Sequence, residues 1–295
     1  MYRFLNSSFV LIDMESQQGN KLRVPFKTPR SSTQRMLRTL VPLRSDMNGK
    51  NSRVVRAGER TNIDGKAVSN KVLLAMPKNE YELMRPDLTY IDLPHHLSLH
   101  ESTQKIEFVY FPNRGMVSQV VVTKDGRTVE VGVVGKEGYV GAGLAAGLSR
   151  SSVREIIQIA GDGFRITGNA LERILRSAPQ LQVILNRHTG LQGMQVAQTA
   201  ACNRLHDIQQ RLSRWLLMTQ DRVDSGDIPI THDFIATMMG TDRSTVSLAA
   251  SALQKKGIIE YVRGAVKIVN RRKLEKSACE CYDVIQKFED ELGLR

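Results

Sequence analysis

The sequence contains little cysteine: Cys202, Cys279 and Cys281 are the three among 295 residues, and none lies in the N-terminal half. So few thiols cannot form a disulfide framework, and they are typical of a protein in a reducing cytoplasm. An iron–sulfur cluster held by cysteine alone needs four thiolates, so we expect no such cluster. We place Cys279 and Cys281 in one final helix, Leu274 to Leu292, where their thiols would point to different faces as buried structural groups.

Long apolar runs are also absent. No stretch approaches the roughly 20 apolar residues that a membrane-spanning helix needs. The N-terminal apolar run, Phe9 to Ile12, is shorter than the core of a secretion signal, which needs about 7 residues. The sequence therefore predicts a cytoplasmic protein without a membrane partner.

Catalytic and metal-binding patterns are missing as well. We find no nucleophile–base pair, carboxylate dyad or phosphate-binding loop, so we expect that the protein is not an enzyme. His95, His96 and His100 lie close together in the sequence, but they lack zinc spacing and cysteine partners. We therefore expect no metal site.

The charge of the chain is positive and unevenly distributed. The formal net charge is +12, which favours a polyanionic partner such as nucleic acid. Residues 1–70 hold 13 Lys and Arg against 5 Asp and Glu, with little hydrophobic periodicity. We interpret residues 1–69 as a disordered basic extension. It either contacts nucleic acid or, as we favour, is a solvated tail or the product of a start codon placed too early, with Met47 or Met76 as alternatives.

Residues 70–170 alternate β-rich runs with turn signals. Pro112-Asn113 and Asp125-Gly126 separate runs, and an Asp-Gly pair is a strong hairpin signal. Short strands at this spacing predict a compact antiparallel barrel or roll. The β-rich runs are Phe108–Phe111, Met116–Thr123, Thr128–Val134 and Val153–Ile159.

A helical region follows the β-rich part. A long helix is expected from about Pro179, and its near-heptad spacing is typical of coiled-coil helices, although the seam is mixed in polarity. We interpret residues 171–206 as a dimerisation helix that packs two protomers together. The seam residues are Ile184, His188, Leu191, Gln195 or Met194, Gln198, Ala201 or Cys202, and Leu205.

The stretch from Ile230 to Val269 has the pattern of a helix-turn-helix followed by a β-hairpin wing. Phe234, Ile235 and Met238 or Met239 have amphipathic helical spacing, and Gly240 suits the tight turn that follows. Two short apolar runs around a glycine form the wing. We assign residues 207–277 to this winged helix-turn-helix domain and 278–295 to a C-terminal helix. The second helix is capped by Thr241 or Asp242 and buries Val246, Ala249, Ala250 and Leu253.

In this geometry the second helix enters the major groove, where its first residues meet base edges. Arg243 is the strongest candidate because its guanidinium can make a bidentate contact to guanine, with a phosphate contact as the alternative. Lysines and arginines gather on the module and can neutralise phosphates. The predicted DNA-binding residues are Arg243, Ser244, Thr245, Ser247 and Leu248 on the helix, and Arg263 and Lys267 in the wing.

Four segments together resemble the Crp/Fnr family of bacterial transcription regulators. They are VYFPNRGMVSQVVV (Val109–Val122), DGRTVEVGVVGKEGYVG (Asp125–Gly141), SRSSVREIIQI (Ser149–Ile159) and the winged helix-turn-helix. The resemblance implies an α+β fold with an antiparallel β-roll like a cyclic-nucleotide-binding domain, a long dimerisation helix and a C-terminal winged helix-turn-helix. It also implies a homodimer that reads a palindromic site in double-stranded DNA, with RNA polymerase as a possible further partner.

The sequence departs from the cyclic-AMP-binding members of that family. Arg150 and Ser151 match the pair that holds the cyclic phosphate, and Gly141 lies where a Gly-Glu pair holds the ribose, but no carboxylate follows it. Without that acceptor a charge-assisted hydrogen bond of about 1.5–3 kcal/mol is lost. We therefore expect weak or absent binding of cyclic AMP, and we assign no cofactor. Arg150 is alternatively a surface arginine on a turn.

The second helix also departs from the family, whose members commonly have Arg at the position of Leu248 and often Glu at that of Ser244. We therefore expect a different base preference, with Leu248 against a thymine methyl group. The sequence as a whole predicts a dimeric, sequence-specific transcription regulator whose β-roll senses an unidentified effector or none. The alternative is a regulatory module that does not bind DNA, in which the β-roll controls a protein partner.

Overall fold

The computed structural model describes residues 55–223, 225–262, 264–291 and 293. The fold begins before the boundary expected at residue 69. Val68 is fully buried, and Arg60 donates hydrogen bonds to the carbonyls of Leu73 and Met76. The Asn62 side chain accepts from two backbone N–H groups of the same turn. Hydrogen bonds of polar side chains stabilise this segment. Its sequence therefore lacks the hydrophobic periodicity from which an ordered segment could have been predicted. Residues 1–54 of the expected extension lie outside the described residues.

Two short helices lead into the β-roll. The Asn70 side chain caps α1 (Lys71–Ala75) by accepting from the N–H of Leu73, and α2 spans Lys78–Met84 before a 3₁₀ turn at Arg85–Asp87. The Glu80 carboxylate of α2 accepts from the backbone N–H groups of Gln180 and Leu181. These groups belong to the first turn of a later helix whose own N-cap side chain makes no bond, so α2 supplies the missing acceptor.

The β-roll is antiparallel, and its main sheet has the strand order β1-β5-β3-β4 with β2 paired to β5. The expected break at Pro112-Asn113 is wrong, because one strand runs through it with register shifts between Pro112 and Val117. Gly115 makes this bulge possible, since it has φ +87° and a Cβ there would lie 2.5 Å from the carbonyl oxygen of Ile159. The strands are β1 (Thr89–Leu93), β2 (Ser98–His100), β3 (Phe108–Val122), β4 (Thr128–Val134) and β5 (Arg154–Thr167).

After α3 (Gly168–Leu175), the long helix α4 spans Pro179–Leu205. The seam expected for dimerisation is wrong in part, because His188, Leu191 and Gln195 are buried within the chain itself. Gln195 accepts from the N–H of Val133 in β4. The heptad pattern in the sequence therefore arises from the packing of α4 against the β-roll of the same chain.

The C-terminal part begins with α5 (Ile208–Val223) and contains a three-stranded sheet of order β6-β8-β7. The helix expected from Leu274 to Leu292 is two helices with a break between them. None of the described helices is both long and apolar enough to span a membrane. The remaining elements are β6 (Asp227–Ile228), α6 (His232–Met239), α7 (Arg243–Lys255), β7 (Ile259–Val262), β8 (Ala265–Ile268), α8 (Arg271–Ser277) and α9 (Cys281–Glu291).

The β-roll and the C-terminal part share one apolar core. Met116, Val133 and Ile159 of the roll pack in the same cluster as residues of α5, α6 and α7. Two polar links reinforce the contact: Trp215 Nε1 donates to Glu130 Oε1 at 2.7 Å, and Arg222 Nε lies 2.9 Å from Glu137 Oε1. Helix α5 therefore connects the roll to α6 and α7.

Candidate nucleic-acid interface

The turn between α6 and α7 is built around Gly240. The Thr231 side chain caps α6 by accepting from the N–H of Phe234, and α6 ends where Gly240 adopts the left-handed φ of 61°. The N–H of Thr241 then closes the turn on the carbonyl of Ala236 at 2.9 Å. A Cβ at position 240 would also contact Val129 of β4 at 3.4 Å. Glycine thus permits the left-handed turn, whereas the contact with Val129 would be an ordinary van der Waals contact.

Helix α7 presents one buried and one open face. Val246 and Leu253 are fully buried, with Ala249 and Ala250 beside them. Asp242 occupies the N-cap position, but its side chain makes no capping bond. The predicted contact residues share the opposite face: Arg243, Ser244 and Leu248 are exposed, and Thr245 and Ser247 are half-buried.

Arg243 is held in place by an acidic neighbour on the preceding helix. Its Nη1 lies 3.1 Å from Asp233 Oδ2, and both side chains are mostly exposed. An exposed ion pair of this kind contributes only about 0–1 kcal/mol to stability. The pair therefore orients the guanidinium at the start of α7 without preventing its exchange for a stronger anionic or base partner.

His232 is a residue that the sequence analysis missed. Its Nδ1 lies 3.0 Å from the Ser247 hydroxyl, and its ring packs at a tilt of 41° against Tyr261 of β7, with centroids 4.0 Å apart. Burial lowers the pKa of His232, and the nearby Arg243 lowers it further. The His232 ring thus joins α6, α7 and the wing. No local pattern marks this role, because the three partners meet only in the folded chain.

The wing is a hairpin of β7 and β8. Lys267 is exposed in β8, and its cross-strand neighbours are Asp227 in β6 and Glu260 in β7. Arg263 lies outside the described residues. Arg271, a basic residue that follows the wing, is bonded to the side chains of Gln220, Asp221 and Tyr282. Its charge therefore holds α8 to α5 in the folded domain.

The predicted effector residues surround a single segment, residues 103–106. Gly141 has φ +88° and precedes a 3₁₀ turn at Ala142–Ala146. Arg150 is exposed and donates to the carbonyl of Thr103 at 2.7 Å, while the N–H of Ser151 donates to the carbonyl of Gln104. The Ser151 hydroxyl donates to the carbonyl of Val153. Arg150 and Ser151 therefore have part of their polar capacity already used, and a Cβ at Gly141 would contact Ile106 of the same segment at 3.3 Å.

A buried carboxylate lies beside this region. Glu155 Oε2 is 2.6 Å from His100 Nδ1, and its Oε1 accepts from Gln119 at 2.9 Å. The other His100 nitrogen lies 2.8 Å from the carbonyl oxygen of Phe108. A Cβ at Gly141 would approach His100 Cε1 to 3.2 Å. Both oxygens of this carboxylate are therefore already bonded within the protein.

The motif at the C-terminal end corresponds to a known type of domain. The family of Crp-like helix-turn-helix domains matches residues 210–277. This part of the chain is a Crp-like helix-turn-helix domain. It begins inside α5 and ends with Ser277, the last residue of α8, so that α7 is the second helix of its helix-turn-helix and α9 lies outside it. A comparison of the whole sequence with curated proteins found no match.

Solved structures extend the likeness to the β-roll that precedes the Crp-like domain. The c-di-GMP-responsive global regulator CLP of Xanthomonas campestris has a TM-score of 0.55 and 15% identity, over 65% of this chain and 99% of its own. FixK2 from Bradyrhizobium japonicum has a TM-score of 0.54 and 16% identity, over 65% of this chain and 98% of its own. A CRP-family transcriptional regulator from Thermus thermophilus has a TM-score of 0.53 and 20% identity, over 64% of this chain and 96% of its own. The α+β fold inferred from the sequence is therefore confirmed as that of Crp/Fnr regulators.

Proposed function

We propose that the protein is a DNA-binding transcription regulator in which α7 reads base edges in the major groove. The observation that carries this proposal is the open face of α7 within a Crp-like domain: Arg243, Ser244 and Leu248 are exposed above a fully buried Val246. Helix-turn-helix domains of this geometry place the first residues of the second helix against the bases. Lys267 in the wing would add a phosphate contact.

We further propose that two chains associate through the outer face of α4. Met194 and Val183 are 37% and 41% exposed, and nothing lies within 4 Å of a Cβ placed at Gly190. These positions belong to a heptad-spaced set on the outward face of α4. It begins at Val183, one residue before Ile184, where the seam predicted from the sequence begins. Small residues on it would allow close approach of two helices. The set is Val183, Arg187, Gly190, Met194, Ala197, Ala201 and Arg204.

A homodimer would present two copies of α7 and so favour a palindromic site, with half-sites about one helical turn apart. Such a regulator would act in the bacterial cytoplasm, where the chromosome lies. The effector of the β-roll is a separate proposal. Arg150, Ser151 and Gly141 would be its contacts, and cyclic AMP would bind weakly because the nearby Glu155 is already bonded to His100 and Gln119.

The experiment that tests the function is selection of binding sites from a random duplex library with the purified full chain. The proposal expects enrichment of one palindromic motif and an affinity for it that falls steeply with salt, because binding releases counterions from phosphates. Calorimetry with cyclic AMP should show no low-micromolar binding. Failure to enrich any motif, together with the absence of salt-sensitive retention on DNA, would favour the alternative in which the winged helix contacts a protein.

A further inference from the structure

Four side chains that are far apart in sequence meet at the C-terminal end of α4. They are Cys202 in the last turn of α4, His206 immediately after it, Cys279 between α8 and α9, and Cys281 at the start of α9. One ligand atom from each, the cysteine Sγ or a histidine ring nitrogen, lies within 4.8 Å of all the others. The three cysteines are almost completely buried. Soft thiolate ligands with one imidazole form a donor set that selects zinc.

The interruption between helices α8 and α9 brings the four side chains together. Cys202 and His206 are one helical turn apart, and the N–H of His206 donates to the carbonyl of Cys202 at 3.1 Å. Helix α8 ends at Ser277, Ala278 is extended, and α9 starts only at Cys281. Within one continuous helix, residues two apart would point to different faces. The expectation that Cys279 and Cys281 diverge is therefore wrong, because Cys279 lies outside both helices.

The distances between the ligand atoms suit one tetrahedral ion. The sulfurs of Cys202 and Cys279 are 3.5 Å apart, and Cys281 Sγ is 3.5 Å from His206 Nδ1. A tetrahedral zinc ion with Zn–S bonds of about 2.3 Å separates its sulfurs by about 3.8 Å. The other pairs of ligand atoms lie within 4.8 Å of each other, so shifts of up to about 1 Å would place all four ligands around one ion.

The groups that contact the cluster are those that a metal site would use. The other nitrogen of His206, Nε2, lies 3.2 Å from the carboxylate of Glu280. Histidines that bind metals usually donate their second N–H to a carboxylate, which leaves the first nitrogen as an acceptor toward the ion. Gln198 Nε2 donates to Cys281 Sγ at 3.1 Å, an interaction that favours a thiolate.

The charge around the cluster complements a thiolate-rich zinc site. Three thiolates, a neutral imidazole and Zn²⁺ carry one net negative charge. The guanidinium groups of Arg211 and Arg214 interact electrostatically with Cys202. Among the described residues, each of these arginines also has a buried Nε without a hydrogen-bond partner. Their positive charge would offset the negative charge of the occupied site.

We propose that Cys202, His206, Cys279 and Cys281 bind one zinc ion in a closed structural site. All four coordination positions come from the protein, which is typical of structural rather than catalytic zinc. The ion would connect the end of α4 to the segment after α8, and thus close a loop around the whole Crp-like domain. This proposal concerns the fold and does not depend on DNA binding.

The test is the metal content of the full chain, purified under reducing conditions without chelators and analysed for zinc, iron and sulfide. The expected result is one zinc per chain. His206→Ala should lose most of the bound zinc, whereas His206→Cys should keep it because cysteine restores a fourth ligand. His95→Ala, which changes an exposed histidine outside the cluster, should remain fully loaded.

A second measurement does not require a ligand variant to fold. Glu280 and Asp283 are both exposed acids near the start of α9, but among the described residues only Glu280 bonds to His206. In competition with a chromophoric chelator, Glu280→Gln should bind zinc about 10–100-fold more weakly than the unchanged chain, and Asp283→Asn should bind it equally well. Equal affinity in Glu280→Gln would count against the proposed role of Glu280 and overturn this geometry.

Titration of the unchanged, reduced chain with Co²⁺ completes the test, because cobalt bound by thiolates in a tetrahedral site absorbs visible light strongly. The absorption should saturate at one equivalent and disappear on addition of zinc. No cobalt or zinc binding by the folded chain would overturn the proposal. So would isolation of the chain with an iron–sulfur cluster or with a disulfide between Cys202 and Cys279.

Discussion

At the scale of single residues, Arg243 illustrates what spacing can and cannot show. Its place on the first turn of α7 follows from the glycine turn and the buried Val246, both visible in the sequence. Its partner Asp233 and its neighbour His232 belong to α6, and no pattern links them to α7. The orientation of a predicted contact residue is thus a tertiary property, since it depends on how two helices cross.

Replacing Arg243 by alanine should weaken binding to the selected DNA site by roughly 1–3 kcal/mol and relax base preference at one position in each half-site. The reason is the loss of a bidentate contact to guanine, which lysine reproduces poorly. The measurement is a set of titrations of Arg243→Ala and Arg243→Lys against the selected site and its single-base variants.

Lys267→Ala is the matched control for Arg243, because Lys267 is an exposed cation of the wing. Its loss should weaken all sequences alike and reduce the slope of affinity against salt by about one phosphate contact. If Arg243→Ala also weakened every sequence to the same degree, Arg243 would be a phosphate contact and would not read bases.

At the scale of elements, the sequence predicted the type of each helix or strand better than the face it buries or the residues at which it begins and ends. Short β runs with Asp125-Gly126 were sufficient for the antiparallel roll, and the helix–glycine–helix pattern was sufficient for α6 and α7. The pattern failed at Pro112, where a bulge continues the strand, and at Ala278, where a helix breaks without proline or glycine. Both features depend on contacts with distant residues, which local periodicity does not encode.

Helix α4 shows the same limit in a form that can be tested. Its buried heptad set faces the β-roll, and the proposed dimer uses the outward set that contains Met194. Met194→Glu should convert the dimer to a monomer at micromolar concentration, because two buried carboxylates would repel each other across the seam. The measurement is light scattering or sedimentation of the full chain.

Val196→Glu provides the control for that experiment. Val196 is 38% exposed, and Met194 is 37% exposed. Because Val196 lies two residues after Met194 on the helix, its side chain points well away from the outward seam. It should therefore remain dimeric. A monomeric unchanged chain, with and without DNA, would exclude the dimer, and dissociation in both variants would show that the seam is placed incorrectly.

At the scale of the whole molecule, the roll and the Crp-like domain form one continuous unit through α5. Glu130 of β4 is buried and bonded to Trp215 of α5 and to the hydroxyl of Ser118. Arg222 joins the same helix to Glu137 of the roll and to Glu289 of α9. A change in the roll would therefore act on α5 through buried polar and ionisable groups.

Glu130 gives this junction a pH dependence. Burial raises the pKa of its carboxyl from 4.5 to about 7, against the smaller opposing effects of Ser118, Trp215, Arg222 and Arg214. Below pH 4.5 the carboxyl is neutral in both folded and unfolded chains, and its contribution to stability is fully present. As the pH rises toward 7, the unfolded chain ionises more readily than the folded chain, so this contribution is lost.

The loss from Glu130 should amount to about 3 kcal/mol between pH 4.5 and pH 8, since one pKa unit corresponds to about 1.4 kcal/mol. Glu130→Gln keeps an acceptor for Trp215 but cannot ionise, so its free energy of unfolding should fall less over this range. Urea unfolding of both chains at pH 5 and pH 8 measures the difference, in which the other titrating groups cancel. Parallel changes in the two chains would show that Glu130 ionises normally and that the junction between the roll and α5 is open to water.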